Sequence, residues 1–163
     1  MNTNGTLFFF SGKMGSGKST LAKEIATSPN TVLISEDSWL KNLYPDEIHS
    51  LDDYVLYSAR LKPILEDHVR TLLKSGVSVV MDFPGNTIRQ RLWFKKIFLD
   101  ENLPHKLIYL QAEDRLCLER LQIRNSKEPD RAKFDNEEMF HRITKFFQPP
   151  TEEEGFHLEI IQQ

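Results

Sequence analysis

The chain has 163 residues, 39% of them hydrophobic and 28% charged, with a formal net charge of −3. That length fits one hydrophobic core and is too short for two, and the lack of a basic surplus removes the field that drives general nucleic-acid binding. The single cysteine, Cys117, excludes an internal disulfide, no Cys/His cluster has zinc spacing, and with no secretory leader pattern and no apolar run near the ~18 residues of a membrane span the expected compartment is the cytoplasm.

Leu7-Phe8-Phe9-Phe10 is a short apolar run of strand character, and from Ser19 to Ala26 the residues Leu21, Ala22, Ile25 and Ala26 recur at helical spacing. Between them Gly12 to Ser19 reads GKMGSGKS, the full G-x-x-x-x-G-K-[ST] phosphate-binding loop in the strand-loop-helix setting it requires. Pro29-Asn30 turns the chain into a β-branched strand, Thr31 to Ser35. Glu36-Asp37-Ser38 then starts a helix carrying Trp39, Leu40 and Leu43, which Pro45 stops. From about Leu51 to Leu73 the apolar positions again follow a helical period, with Pro63 expected to kink or divide the stretch and Ser75-Gly76 to end it. Val77 to Met81 is apolar apart from Ser78, the pattern of a buried parallel strand, and it runs into Asp82. After Phe83-Pro84-Gly85, Asn86 is the expected cap of a helix lined by Ile88, Leu92, Trp93, Ile97 and Phe98. Lys106 to Leu110 reads as a fourth strand, Asp114 to Arg124 as a helix and Asn125 to Lys133 as a polar loop. A helix from Asn136 to Phe147, a Pro149-Pro150 break and a strand from His157 to Ile161 complete the order. Such alternation predicts a parallel sheet covered on both faces, with ligands bound beyond the carboxyl ends of its strands.

Chemistry is therefore sought just after each strand. The first ends in the glycine loop, where Gly12, Gly15 and Gly17 let backbone N–H groups of the Gly12, Lys13, Met14, Gly15, Ser16, Gly17, Lys18, Ser19 and Thr20 stretch turn inward on a nucleoside triphosphate. Lys18 is expected to reach the terminal phosphates and Ser19 to offer its hydroxyl to Mg²⁺, while the next helix presents its positive end. Asp82, at the end of the third strand, is the expected second metal-site residue, the alternative being a strand-end cap. Asp37, two residues past the second strand, is placed to take a proton from an acceptor hydroxyl, although an acid there also suits a helix start. Arg120 and Arg124 share a helical face, and Arg131 follows in the polar stretch that could close over the phosphates. Arg89 and Arg91 point opposite ways from the helix after Asp82, so at most one faces the acceptor, and Trp39 could floor its pocket. Trp93, Cys117, Phe146 and Phe147 read as packing residues and Glu152 to Glu154 as a solvated turn. The five histidines suggest no ligand set.

These residues resemble the small P-loop kinases that include polynucleotide kinases, gluconate kinases and zeta toxins, and in particular a bacterial group of similar length called AAA-family ATPases or predicted kinases. The likeness is carried by SGKMGSGKST (Ser11 to Thr20), ISEDSWL (Ile34 to Leu40), MDFPGNTIRQR (Met81 to Arg91), CLERLQIRN (Cys117 to Asn125) and FFQPPTEEEGF (Phe146 to Phe156). It implies one kinase domain over 1–163, a three-layer α/β/α fold with a five-stranded parallel sheet of order 2-3-1-4-5, and a short lid at about 125–133. It also implies ATP and Mg²⁺, with Asp37 similar to the acceptor-activating aspartate and Arg120, Arg124 or Arg131 similar to lid arginines. Polynucleotide kinases carry an arginine shortly after that aspartate, and Trp39-Leu40 stands here instead. A nucleic acid is therefore a disfavoured partner. The expected activity is transfer of the γ-phosphate to a hydroxyl of a small-molecule acceptor; the rivals are a nucleic-acid 5′-hydroxyl kinase and an ATP-binding regulatory switch.

Overall fold

Five strands, β1 (Leu7–Ser11), β2 (Thr31–Ser35), β3 (Ser78–Asp82), β4 (His105–Gln111) and β5 (Leu158–Gln162), pair in parallel in the order β2-β3-β1-β4-β5 in the computed structural model, which describes residues 3–163. This is the sheet order the resemblance implied. Six α-helices connect and cover the strands: α1 (Lys18–Ile25), α2 (Glu36–Leu43), α3 (Leu51–Lys74), α4 (Ile88–Phe98), α5 (Asp114–Lys127) and α6 (Glu137–Thr144). No helix among the described residues is long and apolar enough to cross a membrane.

The two faces of the sheet follow from the period-2 alternation of its strands. Leu7 and Phe9 of β1, Val79 and Met81 of β3 and Leu107 of β4 enter one core, shared with α3 and α4. Phe10, Val80 and Ile108 point the other way onto Leu21, Ala22 and Ile25 of α1. Within the larger core Phe9 stacks on Phe94, ring centroids 4.4 Å apart.

Several boundaries differ from the sequence expectation, each for a local reason. Pro63 does not divide α3: it lies on the exposed side of one continuous helix whose buried stripe is Ser58, Leu61, Leu65, Val69 and Leu73. The cap of α4 is Thr87 rather than Asn86, closed by a reciprocal Thr87–Gln90 capping box. Ile88 and Leu92 are exposed, while Arg91 and Phe94 take the buried positions expected of them. The polar stretch Asn125 to Lys133 is helical, not a loop, because α5 continues to Lys127 and a 3-10 turn spans Pro129–Lys133. Asp135 ties it down: its carbonyl accepts from Asn125 Nδ2 at 2.7 Å, and its carboxylate pairs with Arg124. α6 stops at Thr144, which leaves Phe146 exposed rather than packed.

Candidate active site

The glycine loop hangs between β1 and α1, at the carboxyl edge of the sheet. Its entry is fixed by Asn86, whose Oδ1 accepts the Gly12 N–H at 2.8 Å across 74 residues of sequence. Gly85 lies so close to β1 that a β-carbon there would stand 2.2 Å from the Phe10 carbonyl oxygen. At Gly15, with φ of +79°, a β-carbon would meet the Cys117 carbonyl oxygen at 2.5 Å. The N–H groups of Gly15, Gly17, Lys18 and Ser19 find no acceptor among the described residues, and the buried Ser16 Oγ is also without a partner. A cluster of unspent donors at a helix N-terminus is an anion nest.

Lys18 folds back over this nest, donating to the carbonyls of Gly12 and Lys13. Burial lowers its pKa to about 8, with the carboxylate of Asp82 opposing the shift. Lys13 contributes backbone only, since its ammonium pairs with Asp114 at 2.6 Å. Met14 packs against Cys117, Leu121 and Phe140, which anchors the loop to α5 and α6. Ser19 and Thr20 are exposed in the first turn of α1.

Parallel register sets Ser35 beside Asp82, so β2 and β3 deliver their acids to one edge. Asp37 follows in the first turn of α2, which is capped by Ser35. Burial by its surroundings raises its pKa, reinforced by the carboxylates of Asp135 and Asp82 and opposed by Arg131 and Arg124. Because Asp37 itself keeps solvent access, water screens part of that shift. Lys18 in turn feels Asp82 and Arg124. The structure thus brings Lys18, Asp82, Asp37, Arg124 and Arg131 into one electrostatic centre. Asp135 belongs to it too, holding Arg124 at 2.8 Å and Arg131 at 3.8 Å.

Not every expected residue faces this centre. Arg120 donates to the Ser16 carbonyl at 2.9 Å and reaches the Gln163 side chain at 3.3 Å, so it braces the loop from the side of β5. Arg91 is a correction: it is 0% exposed, with Nε and one Nη on the Glu154 carboxylate at 2.9 and 3.1 Å and the other Nη on the Gly85 carbonyl at 3.0 Å. It cannot present its charge to an acceptor. Its partner Glu154 is likewise not the solvated residue expected of that turn. Trp39 is partly exposed, and Trp93 is buried against Phe83 and Phe94 as expected of a packing residue.

Arg89, by contrast, lines a cleft of about 580 Å³ between α3 and α4. At its inner end lies Glu36, a residue that reads from sequence only as a helix start. Glu36 is 1% exposed, and its two oxygens accept from the Tyr54 hydroxyl and from Ser58 Oγ. Burial lifts its pKa to about 7, despite the opposing Ser58 hydrogen bond and the charge of Lys62. A second cleft, of about 410 Å³, opens on the other side of the loop between Gly17, Thr20, Arg120 and Gln163.

A loop of this composition joined to strand-end acids marks a nucleotide-binding sheet, and the AAA domain profile matches residues 7–150. The chain belongs to the AAA domain family. Solved structures share the fold of this AAA domain. The APS kinase CysC of Mycobacterium tuberculosis, in complex with AMPPNP and APS, superposes with a TM-score of 0.62 at 19% identity, covering 98% of this chain and 89% of that one. A sugar kinase from Janibacter sp. HTCC2649 gives 0.64 at 13% identity, covering 98% and 85%. A chain of the Pnkp1/Rnl/Hen1 RNA repair complex gives 0.63 at 18% identity, and there the match covers 91% of this chain but only 48% of the other. No curated protein matches the sequence. At these identities the shared property is the fold, that of the small P-loop kinases.

Proposed function

We propose that this AAA domain is an ATP- and Mg²⁺-dependent kinase that transfers the γ-phosphate to a hydroxyl of a small molecule. One observation carries the reading: Asp37 stands within the field of Asp82, Asp135, Arg124 and Arg131, next in sequence to Glu36, which lines a cleft separate from the loop. The loop N–H groups and Lys18 would grip the β- and γ-phosphates. The cleft between Thr20, Arg120 and Gln163 suits the nucleoside.

In the proposed reaction the acceptor hydroxyl loses its proton to Asp37 while its oxygen bonds to the γ-phosphorus. The bond from that phosphorus to the β,γ-bridging oxygen breaks, and ADP leaves with the electron pair. Arg124, paired with Asp135, and Arg131, paired with Glu128 and more distantly with Asp135, would offset charge on the transferring group. Hard oxygen donors suit magnesium: the Ser19 hydroxyl makes no hydrogen bond among the described residues, and Asp82 at the end of β3 supplies a carboxylate. Held by Ser19 and Asp82, the ion would supply positive charge against the charge developing on the transferring phosphate. The 3-10 turn at Pro129–Lys133 would close as a lid, carrying Arg131 with it.

A pool of hydroxyl metabolites incubated with γ-labelled ATP and Mg²⁺ tests this. Wild type is expected to label an acceptor that Asp37→Asn labels about 10²-fold more slowly, the magnitude of general-base loss. A labelled oligonucleotide product would move the acceptor class to nucleic acid. Equal ATP hydrolysis by both proteins with no labelled acceptor would leave the regulatory switch as the function.

A further inference from the structure

The α3–α4 cleft carries cations on both of its helical walls. On α4, Arg89, Leu92, Trp93 and Lys96 recur at i, i+3, i+4 and i+7, one helical stripe, and all four line the cleft. Facing them on α3 is Lys62, half-buried with its ammonium 5.2 Å from the Trp93 ring centroid. Three cations therefore converge from two helices. None of them forms a salt bridge among the described residues, whereas eight other Lys and Arg side chains do. Of the acids at this space, Glu36 is buried and spends its oxygens on Tyr54 and Ser58, and Glu66, behind Trp93, accepts from the indole Nε1 at 2.8 Å. In a chain of net charge −3, this leaves a localised cationic surplus.

Beside the charges sit exposed apolar side chains, Val55 and Leu92, whose position on a cleft wall gives them something to cover. A volume of about 580 Å³ is that of a small-molecule site. We propose that this cleft binds the kinase acceptor through an anionic group, a phosphate, sulfate or carboxylate held by Lys62, Arg89 and Lys96. The apolar body of the acceptor lies on Val55 and Leu92, and its hydroxyl reaches inward past Glu36 to Asp37. The proposal rests on the kinase reading for the reaction, but the anion site stands on its own geometry.

Trp93 is the reporter. Fluorescence is followed in a Trp39→Phe background with Mg²⁺ and AMPPNP present, so that added sulfate or acetate does not report from the glycine loop. A saturable change with either anion is expected, weakened at least 5-fold by Arg89→Met and by Lys96→Met, two exposed positions where substitution spares the fold. No saturable change, or a change that both variants leave intact, overturns the anion site. In a parallel assay with γ-labelled ATP, hydroxyl compounds bearing an anionic group are tested against their neutral counterparts. Product only from the anionic set, with the loss in Arg89→Met falling on KM rather than kcat, supports the assignment. Product from the neutral set overturns it while leaving the kinase intact. Saturable anion binding without any labelled product supports the site and refutes the kinase reading alone.

Discussion

Replacing Arg91 by Met separates a structural arginine from an acceptor-binding one. The guanidinium makes three hydrogen bonds, two to Glu154 and one to the Gly85 carbonyl, from a side chain with no solvent exposure. Its removal strands a carboxylate only 14% exposed, and breaking one side of a buried pair costs about 3–5 kcal/mol. Glu154 keeps the Thr151 N–H at 3.0 Å, which places the cost toward the lower end, about 3 kcal/mol. At roughly 2–4 °C per kcal/mol for a chain of this size, the midpoint should fall by roughly 6–12 °C. Urea denaturation should show the same loss as a lower midpoint at unchanged slope. The double variant Arg91→Met/Glu154→Met, which leaves no stranded charge, should recover part of it. Since Gly85 adjoins the Asn86 that holds Gly12, weaker nucleotide binding should accompany the destabilisation. A midpoint within about 2 °C of wild type, combined with a raised KM for acceptor, would refute the structural assignment and return Arg91 to the acceptor site.

Other consequences concern Glu36, Gly15 and Lys18. Folding raises the Glu36 pKa from 4.5 to about 7, so the folded state favours the protonated form. Its cost is absent below pH 4.5, grows through that window and is complete above pH 7, where it reaches roughly 3 kcal/mol. Glu36→Gln should therefore flatten stability against pH between 5 and 8 and raise the melting midpoint at pH 8; an unchanged profile would show that the carboxyl is not desolvated. Gly15→Ala combines a φ of +79° with a 2.5 Å approach to the Cys117 carbonyl. It should cut AMPPNP affinity by at least 10-fold in calorimetry, and wild-type affinity would show that the loop need not hold this shape. With the pKa of Lys18 at about 8, nucleotide affinity should decline as pH rises above 8 with uptake of one proton on binding. A flat affinity from pH 7 to 9.5 would exclude the neutralised lysine.

The sheet was legible because strand periodicity, the glycine loop and the strand-end acids are all local signals, each confined to a few adjacent residues. What escaped was encoded at long range. Asn86 looks like a helix cap, but its side chain is spent on Gly12, and Thr87 with Gln90 caps α4 instead. Arg91 reads as a candidate for the acceptor site until Glu154, 63 residues on, pairs with it. Glu36 is a favourable first-turn acid in sequence and becomes a buried carboxyl only because α3 packs Tyr54 and Ser58 against it. The stretch Asn125 to Lys133 has too few apolar residues to show a helical period, and Asp135 orders it through polar contacts that leave no hydrophobic trace. Arg89 carried a partial signal, since its i+7 neighbour Lys96 shares its stripe of α4.

The account depends most on the loop between β1 and α1 gripping triphosphate. Isothermal titration with Mg²⁺ and AMPPNP measures that directly, comparing the wild-type chain with Lys18→Ala. Saturable one-site binding by wild type, reduced at least 10²-fold in the variant while its circular dichroism and melting midpoint stay close to wild type, is the predicted result. Equal affinity in the two proteins, or no binding by wild type, would contradict it.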